Sequence, residues 1–366
     1  MGSFFLNNDQ MNKNARCYYE SAKKFHIPVE GIAQIEGFRI KLGKQNYYFC
    51  GSGTPLNDCS CIHVSRNKYT MNKLLEKGGF PVPKATFIHI SEYQDGLLEE
   101  KIAQLNFPLV AKPQAGKLGQ DVLCNIQTLA QLKKYIDDNI ADYEFISIEE
   151  FHGNLNSYRV LVFNGRILGV IQRYPAHVMG DGVHTLQELI DLANIQRPKI
   201  SNTLGPIGID EECQIKLAEL GLDLNYIPKK EECVSLCYTC NATRGGTYKS
   251  IDKNICKENR KLFIRAAAEL GLKLVGFDVQ CVDINIPIEK SHGVIIEAND
   301  GPSVRIHEYP LEGKAVHASK KIIRSILYRH PIAYFTVLYK DKTTAPYIRS
   351  FIALILLSLI YLVIRR

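Results

Sequence analysis

The stretch SYRVLVFNGRILGVIQR, residues 157–173, decides the fold of this chain. Asn164-Gly165 separates two apolar runs within it, and an Asn-Gly pair in that position is the strongest short-range signal of a β-hairpin. The segment Thr185-Leu-Gln-Glu188 follows and has the pattern of a capping box, which predicts the start of a helix carrying LIDLAN. The sequence therefore predicts a strand hairpin that leads into a helix.

Two further apolar strands are predicted nearer the C-terminus, and both carry polar residues. Asp278 lies within LVGFDVQCVD, and Glu297 and Asn299 lie within GVIIEAND. Glu297 and Asn299 are two residues apart, so they point to the same face of their strand. Acidic residues in strands that are otherwise apolar are hard to explain as ordinary solvent-exposed side chains. Because hard oxygen ligands suit Mg²⁺, these three residues predict a magnesium site, with Mn²⁺ as the alternative metal.

A glycine-rich loop follows the strand PLVAK, on the N-terminal side of the hairpin. Lys112 ends that strand, and Gly116 and Gly119 allow the backbone amides of the loop to turn toward a phosphate. Lys68 lies at the start of a predicted helix, NKYTMNKLLEK, which Gly78-Gly79 closes. The residues alone leave two interpretations open: the lysines bind phosphate, or they are solvated side chains beside an ordinary turn.

The segment ISIEEFH, residues 146–152, is an apolar strand that ends in two carboxylates and an aromatic ring. Its backbone can hydrogen-bond a nucleotide base, while the carboxylate of Glu149 or Glu150 accepts hydrogen bonds from amino or hydroxyl groups. An edge strand with ordinary solvated acids fits the same residues.

The composition is that of an ordinary globular protein, with 46% hydrophobic and 23% charged residues. The net charge of +7 fits anionic nucleotides or anionic lipid, and the lack of a basic block with interleaved aromatic residues argues against nucleic acid. FRIKL and NYYFC predict a hairpin near the N-terminus. We predict an α+β chain of four parts, namely a short α/β segment at 1–66, a smaller lobe at 67–144, a larger lobe at 145–330, and a linker with a hydrophobic helix at 331–366.

The chain has 11 cysteines, an odd number without the spacing of a small secreted domain. This pattern favours reduced thiols in a cytosolic compartment. The densest group is Cys233, Cys237 and Cys240, to which residues 59–63 could add ligands from a distance. A metal site and a set of buried or incidental thiols both remain open interpretations of this group.

The C-terminal segment FIALILLSLIYLVI, residues 351–364, carries no charge. As a helix it is roughly 21 Å long, and it reaches roughly 28 Å if the helix begins at Pro346. The run is apolar on every side, and Arg349 can snorkel to the interface. These features predict a tail anchor or a membrane-embedded hairpin, and a buried or oligomer-forming helix is the alternative.

The remaining targeting signals are weak. Basic residues flank the apolar run on both sides, which favours a cytoplasmic catalytic part and a single-pass C-terminal anchor. Residues 1–8 lack the charged start and long apolar run of a signal peptide. Leu6 stands where the N-myristoylation pattern requires Ser or Thr, so no acyl chain is predicted.

Taken in order, these segments resemble the ATP-grasp superfamily, and in particular the ATP-grasp half of cyanophycin synthetase. The most specific part is the block YRVLV, NGR, R-x-P-A and GDG-x-H-T-L-x-E-L-I. The motifs together cover residues 67–330. They are NKYTMNKLLEKGGFPVPKA, PLVAKPQAGKLGQDV, ISIEEFHGNLN with the hairpin block, GFDV and IIEANDGPSVRIH.

The resemblance implies an α+β fold in which two lobes clamp ATP, here followed by the hydrophobic helix. The residues that it implies for the nucleotide are Lys68, Lys112, Gly116 and Gly119 at the phosphates, and Glu149, Glu150, Phe151 and His152 at the adenine. Ser157 stands where the family usually has an acid that meets the ribose. The residues that it implies for the chemistry are Asp278, Glu297 and Asn299 at Mg²⁺, Arg159 and Arg173 at the γ-phosphate or acyl phosphate, and Arg305 at the substrate carboxylate.

The family's reaction uses ATP to phosphorylate a carboxylate, after which an amine displaces phosphate to give an amide. The resemblance thus implies a ligase that joins an amine or amino acid to a small-molecule or peptide carboxylate, in a monomer or homo-oligomer. The P-loop of the second half of cyanophycin synthetase is absent from this sequence, which argues against a polymer of two amino acids. A degenerate ATP-binding scaffold and a kinase that phosphorylates a hydroxyl group are the alternatives.

Overall fold

The computed structural model describes residues 10–113, 121–153 and 155–365. The chain forms two compact units. The central unit consists of Asn57–Pro302 with Tyr309–Ala315, and the terminal unit combines Met1–Leu56 with Ser303–Glu308 and Val316–Arg366.

The helices are listed in chain order. They are α1 (Lys13–Lys24), α2 (Cys59–Arg66), α3 (Lys68–Lys77), α4 (Ile90–Gln94), α5 (Leu98–Ile102), α6 (Leu129–Tyr143), α7 (Leu186–Ile200), α8 (Glu211–Glu219), α9 (Lys257–Glu269), α10 (Arg305–Glu308), α11 (Ala318–Tyr328), α12 (Pro331–Lys340) and α13 (Ala345–Ile364).

The strands are listed in the same way. They are β1 (Val29–Ile32), β2 (Gly37–Leu42), β3 (Gln45–Phe49), β4 (Ala85–His89), β5 (Leu109–Pro113), β6 (Leu123–Ile126), β7 (Phe145–Glu150), β8 (Asn156–Phe163), β9 (Arg166–Tyr174), β10 (His177–Met179), β11 (Cys233–Ser235), β12 (Thr247–Ser250), β13 (Leu274–Cys281) and β14 (Val294–Asn299).

The terminal unit packs helices from both ends of the chain on a three-stranded antiparallel sheet, β1-β2-β3. The predicted hairpin is confirmed as β2 and β3, and Phe38 stacks on Phe49 with ring centroids 4.7 Å apart. Tyr18 of α1 lies 5.0 Å from Phe49, and Ser21 of α1 hydrogen-bonds Ser319 of α11 at 2.7 Å. The sequence missed β1, because four residues are too few to show an alternating pattern.

The smaller sheet of the central unit has the strand order β4-β7-β5-β6 and packs against α6. Three predicted elements are confirmed here: the strand PLVAK is β5, the strand at residues 122–126 is β6, and the helix that follows is α6. ISIEEFH forms β7, which pairs with β4 and β5 and so belongs to this sheet. We predicted that this segment begins the larger lobe, because β7 is followed along the chain by β8. The sequence of one strand does not identify the strands with which it pairs.

The larger sheet of the central unit has the strand order β12-β9-β8-β13-β14. The predicted hairpin is confirmed, with Asn164 (φ 45°) and Gly165 (φ 68°) both in the left-handed conformation that a tight type I′ turn requires. One face of this sheet packs against α3 and α9 around Phe263 and Phe277, both fully buried. The opposite face is left for polar side chains.

An excursion between β9 and β12 contains β10, β11, α7 and α8 around a small apolar core of its own. The predicted capping box is confirmed: Thr185 accepts from the Glu188 amide at 3.3 Å, and Glu188 accepts from the Thr185 amide at 2.8 Å. The helix α7 therefore begins where the sequence indicates.

Candidate active site

Strand alternation gathers the predicted metal residues and two of the three predicted catalytic residues on one face of the larger sheet. Asp278 of β13 lies directly opposite Glu297 of β14 and opposite Arg159 of β8. Arg173 of β9 lies opposite Ser157, two residues before Arg159. Directly opposite residues share a face, as do residues two apart on one strand. The neighbours of these residues along the strands fill the apolar core on the other face.

Asp278 is held by two guanidinium groups. Arg159 donates to both carboxylate oxygens, at 2.9 Å from Nη2 to Oδ2, and Arg173 donates from Nη1 to Oδ2 at 3.2 Å. Arg173 also donates from Nη2 to the Ser157 hydroxyl at 3.0 Å. Burial raises the pKa of Asp278, but the charges and hydrogen bonds of the two arginines outweigh it and hold this pKa below its ordinary value. Asp278 is therefore an ionised carboxylate that orients both arginines.

Glu297 and Asn299 lie beside this network and supply oxygen atoms. Within the described ranges, the Glu297 carboxylate makes no hydrogen bond or ion pair, although it is half-buried. The Asn299 amide nitrogen donates to the Gly276 carbonyl at 3.3 Å, so its amide oxygen is the atom available to a ligand. An unpaired carboxylate beside a second carboxylate fits a hard divalent cation, which prefers such oxygen ligands.

Lys112 and Glu149 form a buried ion pair on the smaller sheet. The Nζ–Oε1 distance is 2.7 Å, and the two side chains are 9% and 4% exposed. Ser147, opposite Lys112 on β7, donates to the same Glu149 oxygen at 3.3 Å. The Glu149 side chain thus neutralises a lysine, an arrangement that the sequence did not reveal because the two residues are far apart along the chain.

Lys68, at the first position of α3, reaches the same region. Its Nζ donates to the carbonyl of Pro113 at 3.3 Å. Burial lowers the pKa of Lys68, the positive charge of Lys112 lowers it further, and Glu297 and Glu149 act in the opposite direction. Lys68 therefore lies within electrostatic range of both Lys112 and Glu297, although the three residues come from separate elements.

The segment after β7 joins the two sheets of the central unit. Two amides at this junction are already bonded within the protein. The amide of Glu150, the last residue of β7, donates to the Lys84 carbonyl at 3.0 Å, and that of Phe151 donates to the Pro108 carbonyl at 2.9 Å. The Glu150 carboxylate accepts from Asn106, at 3.0 Å from the backbone amide and 2.8 Å from the side chain.

His152 is the remaining predicted adenine contact, and its side chain is half-buried. Its Nε2 is shielded from solvent and makes no hydrogen bond to the part of the chain that the structure describes. Burial lowers the pKa of His152, so the neutral imidazole is favoured.

The predicted roles of three further residues stay predictions. Gly116 and Gly119 lie outside the described residues. Arg305 begins α10 in the terminal unit, and its contact with a substrate carboxylate stays a prediction.

Two residues of the excursion lie beside the site and were missed by the sequence analysis. Cys240 lies next to Ser157 and Arg173: burial raises the pKa of this thiol to about 11, while Arg173 and a hydrogen bond to Ser157 act against the rise. Tyr238 packs edge-on against Phe151 at 5.1 Å between ring centroids and accepts from Asn125 of β6 at 2.8 Å.

The cysteine group Cys233, Cys237 and Cys240 contains free thiols. Among residues 10–113, 121–153 and 155–365, no three His, Cys, Asp or Glu side chains are close enough to hold a metal ion. Both interpretations of the cysteine group stay predictions, and the predicted magnesium set depends on the amide of Asn299 as its third ligand.

The geometry combines cations and carboxylates in a way that suits a polyphosphate with its metal. Four basic side chains come from different elements, namely Lys68, Lys112, Arg159 and Arg173. Phosphoryl transfer depends on positioned cations and metal more than on a general base. The arrangement therefore has the charges that suit a nucleoside triphosphate and a phosphoryl group in transfer.

Known proteins show a similar sequence. Residues 65–219 match the RimK-like ATP-grasp domain. The chain is 31% identical to cyanophycin synthetase of Crocosphaera subtropica over 258 residues and 32% identical to cyanophycin synthetase of a Synechocystis species over 266 residues. Each match covers 69% of this chain and 29% of the relative, so the chain spans less than a third of the length of these curated relatives.

A solved structure shares the fold. The bifunctional glutathione synthetase from Pasteurella multocida aligns with a TM-score of 0.60 at 23% identity, over 88% of this chain and 45% of that chain. The predicted α+β fold with ATP-grasp architecture and the resemblance to cyanophycin synthetase are thus confirmed. This chain belongs to the ATP-grasp superfamily and contains a RimK-like ATP-grasp domain at residues 65–219.

Proposed function

We propose that this protein is an ADP-forming ligase that joins a carboxylate to an amine at the expense of ATP. The observation that carries the proposal is the shared face of the larger sheet. There Asp278 orients Arg159 and Arg173 beside the carboxylate of Glu297, which has no partner among the described residues. Membership of the ATP-grasp superfamily and similarity to proteins named as synthetases support the same chemistry.

The proposed reaction has two steps. A carboxylate oxygen of the first substrate attacks the γ-phosphorus of ATP, and the bond to the β-γ bridging oxygen breaks to release ADP. The nitrogen of the second substrate then attacks the acyl carbon, loses a proton, and expels inorganic phosphate. Arg159 and Arg173 neutralise the transferred phosphoryl group, because fixed cations stabilise charge best where burial excludes water.

The residues around the nucleotide have complementary roles in this proposal. Lys68 and Lys112 bind the phosphates together with the loop of Gly116 and Gly119, while Glu149–His152 line the adenine and Ser157 faces the ribose. Asp278, Glu297 and Asn299 would hold Mg²⁺, or Mn²⁺ in its place, and the bound metal would supply positive charge that neutralises phosphate oxygens. Arg305 receives the substrate carboxylate, which belongs to a small molecule or a peptide, and the second substrate is an amine or amino acid.

We further propose that α13 anchors the catalytic part to a membrane as a single span. The helix has 20 residues, and an 18-residue stretch of it has a mean hydropathy of 2.3 and no residue buried within the protein. Its length of roughly 30 Å matches the hydrocarbon layer of a bilayer. Tyr347 and Tyr361 lie toward its two ends, as aromatic residues do at membrane interfaces.

A product screen tests the ligase proposal. The full chain in mild detergent is incubated with Mg·ATP, amino acids and short acidic peptides, and ADP and phosphate are both measured. We expect equal amounts of ADP and phosphate only when a carboxylate and an amine are both present. ADP whose phosphate stays on the product would indicate a kinase, and no ADP with any mixture would indicate a scaffold.

A further inference from the structure

The short helix α12 exposes an apolar face that the catalytic proposal does not use. Ile332, Phe335 and Tyr339 follow one another at helical spacing, and they are 83%, 50% and 39% exposed. The rings of Phe335 and Tyr339 lie side by side with centroids 6.4 Å apart. We call this surface, made of Ile332, Phe335 and Tyr339, the α12 face.

The opposite side of α12 is fixed to the terminal unit. The Tyr334 hydroxyl donates to the carbonyl of Phe25 at 3.2 Å, and His330 hydrogen-bonds and packs edge-on against Tyr47. The α12 face therefore cannot turn inward without breaking these contacts, and its apolar side chains stay outside the terminal unit.

The connection between α12 and α13 is ordered by hydrogen bonds. Asp341 accepts from the amides of Thr343 and Thr344 at 3.1 and 3.0 Å, and the Thr344 hydroxyl donates to the carbonyl of Leu338 at 2.6 Å. The Arg349 guanidinium, in the first turns of α13, lies 5.0 Å from the centre of the Tyr339 ring. The α12 face thus continues directly into the end of α13 that carries Arg349.

Exposed basic residues surround this junction. Arg329, Lys340, Lys342 and Arg349 are all exposed, whereas Asp341 is the one acid between residues 320 and 349 and is used in the connection. Basic side chains next to apolar and aromatic ones are typical of helices that lie in the headgroup region of anionic bilayers. A protein partner would not require this positive rim.

We propose that the α12 face lies in the headgroup region of an anionic bilayer and holds the terminal unit against the membrane surface. This inference rests on the proposed anchor, because α13 sets the level at which α12 meets the bilayer. Arg329, Lys340 and Lys342 attract the anionic headgroups, while Ile332, Phe335 and Tyr339 enter the boundary between headgroups and acyl chains. The terminal unit is then held close to the membrane by two contacts.

Single tryptophans test this arrangement, because the sequence contains no Trp. Phe335→Trp reports on the α12 face, Leu356→Trp reports on the centre of α13, and Leu192→Trp on the exposed side of α7 serves as the aqueous control. Each full-length variant is reconstituted in vesicles of equal parts phosphatidylcholine and phosphatidylglycerol. Brominated lipids quench tryptophan emission, with the bromine placed either near the headgroup or near the bilayer centre.

We expect the Phe335→Trp emission to fall roughly twofold with bromine near the headgroup and less with central bromine, as suits an interfacial ring. Leu356→Trp should show the reverse order, and Leu192→Trp should not be quenched. Quenching at Leu356 without quenching at Phe335 overturns the α12 inference and keeps the anchor. Quenching at neither position overturns both. Quenching at Phe335 alone overturns the anchor and, with it, the arrangement in which α13 sets the level of α12.

Two further measurements are needed. One distinguishes a lipid contact from a protein contact, and the other distinguishes the effect of the basic residues from that of the apolar ones. If Phe335→Trp is shielded from iodide but not quenched by brominated lipid, the α12 face contacts a second protein copy and the inference is wrong. Adding Lys340→Gln and Lys342→Gln to Phe335→Trp should reduce quenching in anionic vesicles and leave it unchanged in pure phosphatidylcholine. If the Lys→Gln changes leave quenching in anionic vesicles unchanged, the role assigned to the basic residues is overturned.

Discussion

At the scale of single residues, Asp278 has two tasks that must be separated experimentally. It pairs with Arg159 and Arg173 in a buried network, and it is one of the proposed metal ligands. Removing one partner of a buried ion pair leaves the other charge uncompensated and is strongly destabilising. Loss of activity in an Asp278 variant alone therefore cannot distinguish misplaced arginines from a lost metal.

Glu297→Gln separates the two tasks, because Glu297 is half-buried and makes no ion pair within the described residues. We expect turnover to fall at least about 10-fold and the Mg²⁺ requirement to rise, by analogy with other losses at metal sites. Its thermal midpoint should stay within about 2 °C of the wild type, because nothing buried loses a partner. Titration of activity with Mg²⁺ and thermal unfolding measure both effects.

Two comparisons complete that experiment. Asp278→Asn should lose turnover and also about 3 kcal/mol of stability, because it leaves two guanidinium groups facing a neutral amide. Glu289→Gln, an exposed acid between β13 and β14, should change neither property. Wild-type turnover in Glu297→Gln would contradict the metal assignment.

The buried pair Lys112–Glu149 gives a second prediction at this scale. Lys112→Met leaves the Glu149 carboxylate buried without its cation, which should cost about 3 kcal/mol or more. Replacing both residues, Lys112→Met with Glu149→Leu, should restore most of that stability, because an apolar pair of similar volume is often neutral. Thermal unfolding measures this difference.

Nucleotide affinity shows whether Lys112 of this pair binds ATP in addition to its structural role. Calorimetric titration with Mg·ATP should show weakened binding in both the single and the double variant, because both lack the Lys112 ammonium. ATP affinity that recovers along with stability in the double variant would show that Lys112 has only a structural role.

At the scale of elements, the strongest local signals proved reliable. The hairpin of β8 and β9 and the capping box of α7 were predictable because each is specified by a few neighbouring residues. The place of β7 in the smaller sheet was not, because its partners β4 and β5 are separated from it along the chain. Pairing between distant strands depends on the whole fold.

The helix α13 carries the prediction that belongs to this scale. Leu356→Arg places a charge at the centre of the proposed span and should shift the protein from the membrane fraction toward the soluble one, because a central Arg costs about 3 kcal/mol there. Tyr347→Arg, near the end of the helix, should stay in the membrane fraction. Removal of residues 346–366 should release a soluble protein that keeps its turnover.

Fractionation after alkaline wash measures the distribution of these variants. A wild-type protein found mainly in the soluble fraction would contradict the anchor. Aggregation or unfolding of the shortened protein would show that α13 is needed to cover the terminal unit.

At the scale of the whole molecule, the sequence contained most of the candidate site but not its internal contacts. Asp278, Glu297, Arg159 and Arg173 could be predicted because strand periodicity and motif order place them on neighbouring strands. The pairing of Lys112 with Glu149 and the position of Cys240 beside Arg173 could not, since both depend on segments that meet only in the folded chain. The joining of both chain ends in one unit was unpredictable for the same reason.

The central claim is that ATP activates a carboxylate as an acyl phosphate, and trapping with hydroxylamine tests it most directly. Hydroxylamine replaces the unknown amine, attacks the acyl carbon and gives a stable hydroxamate. With Mg·ATP and a carboxylate that supports ADP release, we predict one hydroxamate for each ADP, and at least about 10-fold slower formation of both with Glu297→Gln. ADP formation without hydroxamate, with the phosphate recovered as a stable ester of the substrate, would contradict the account.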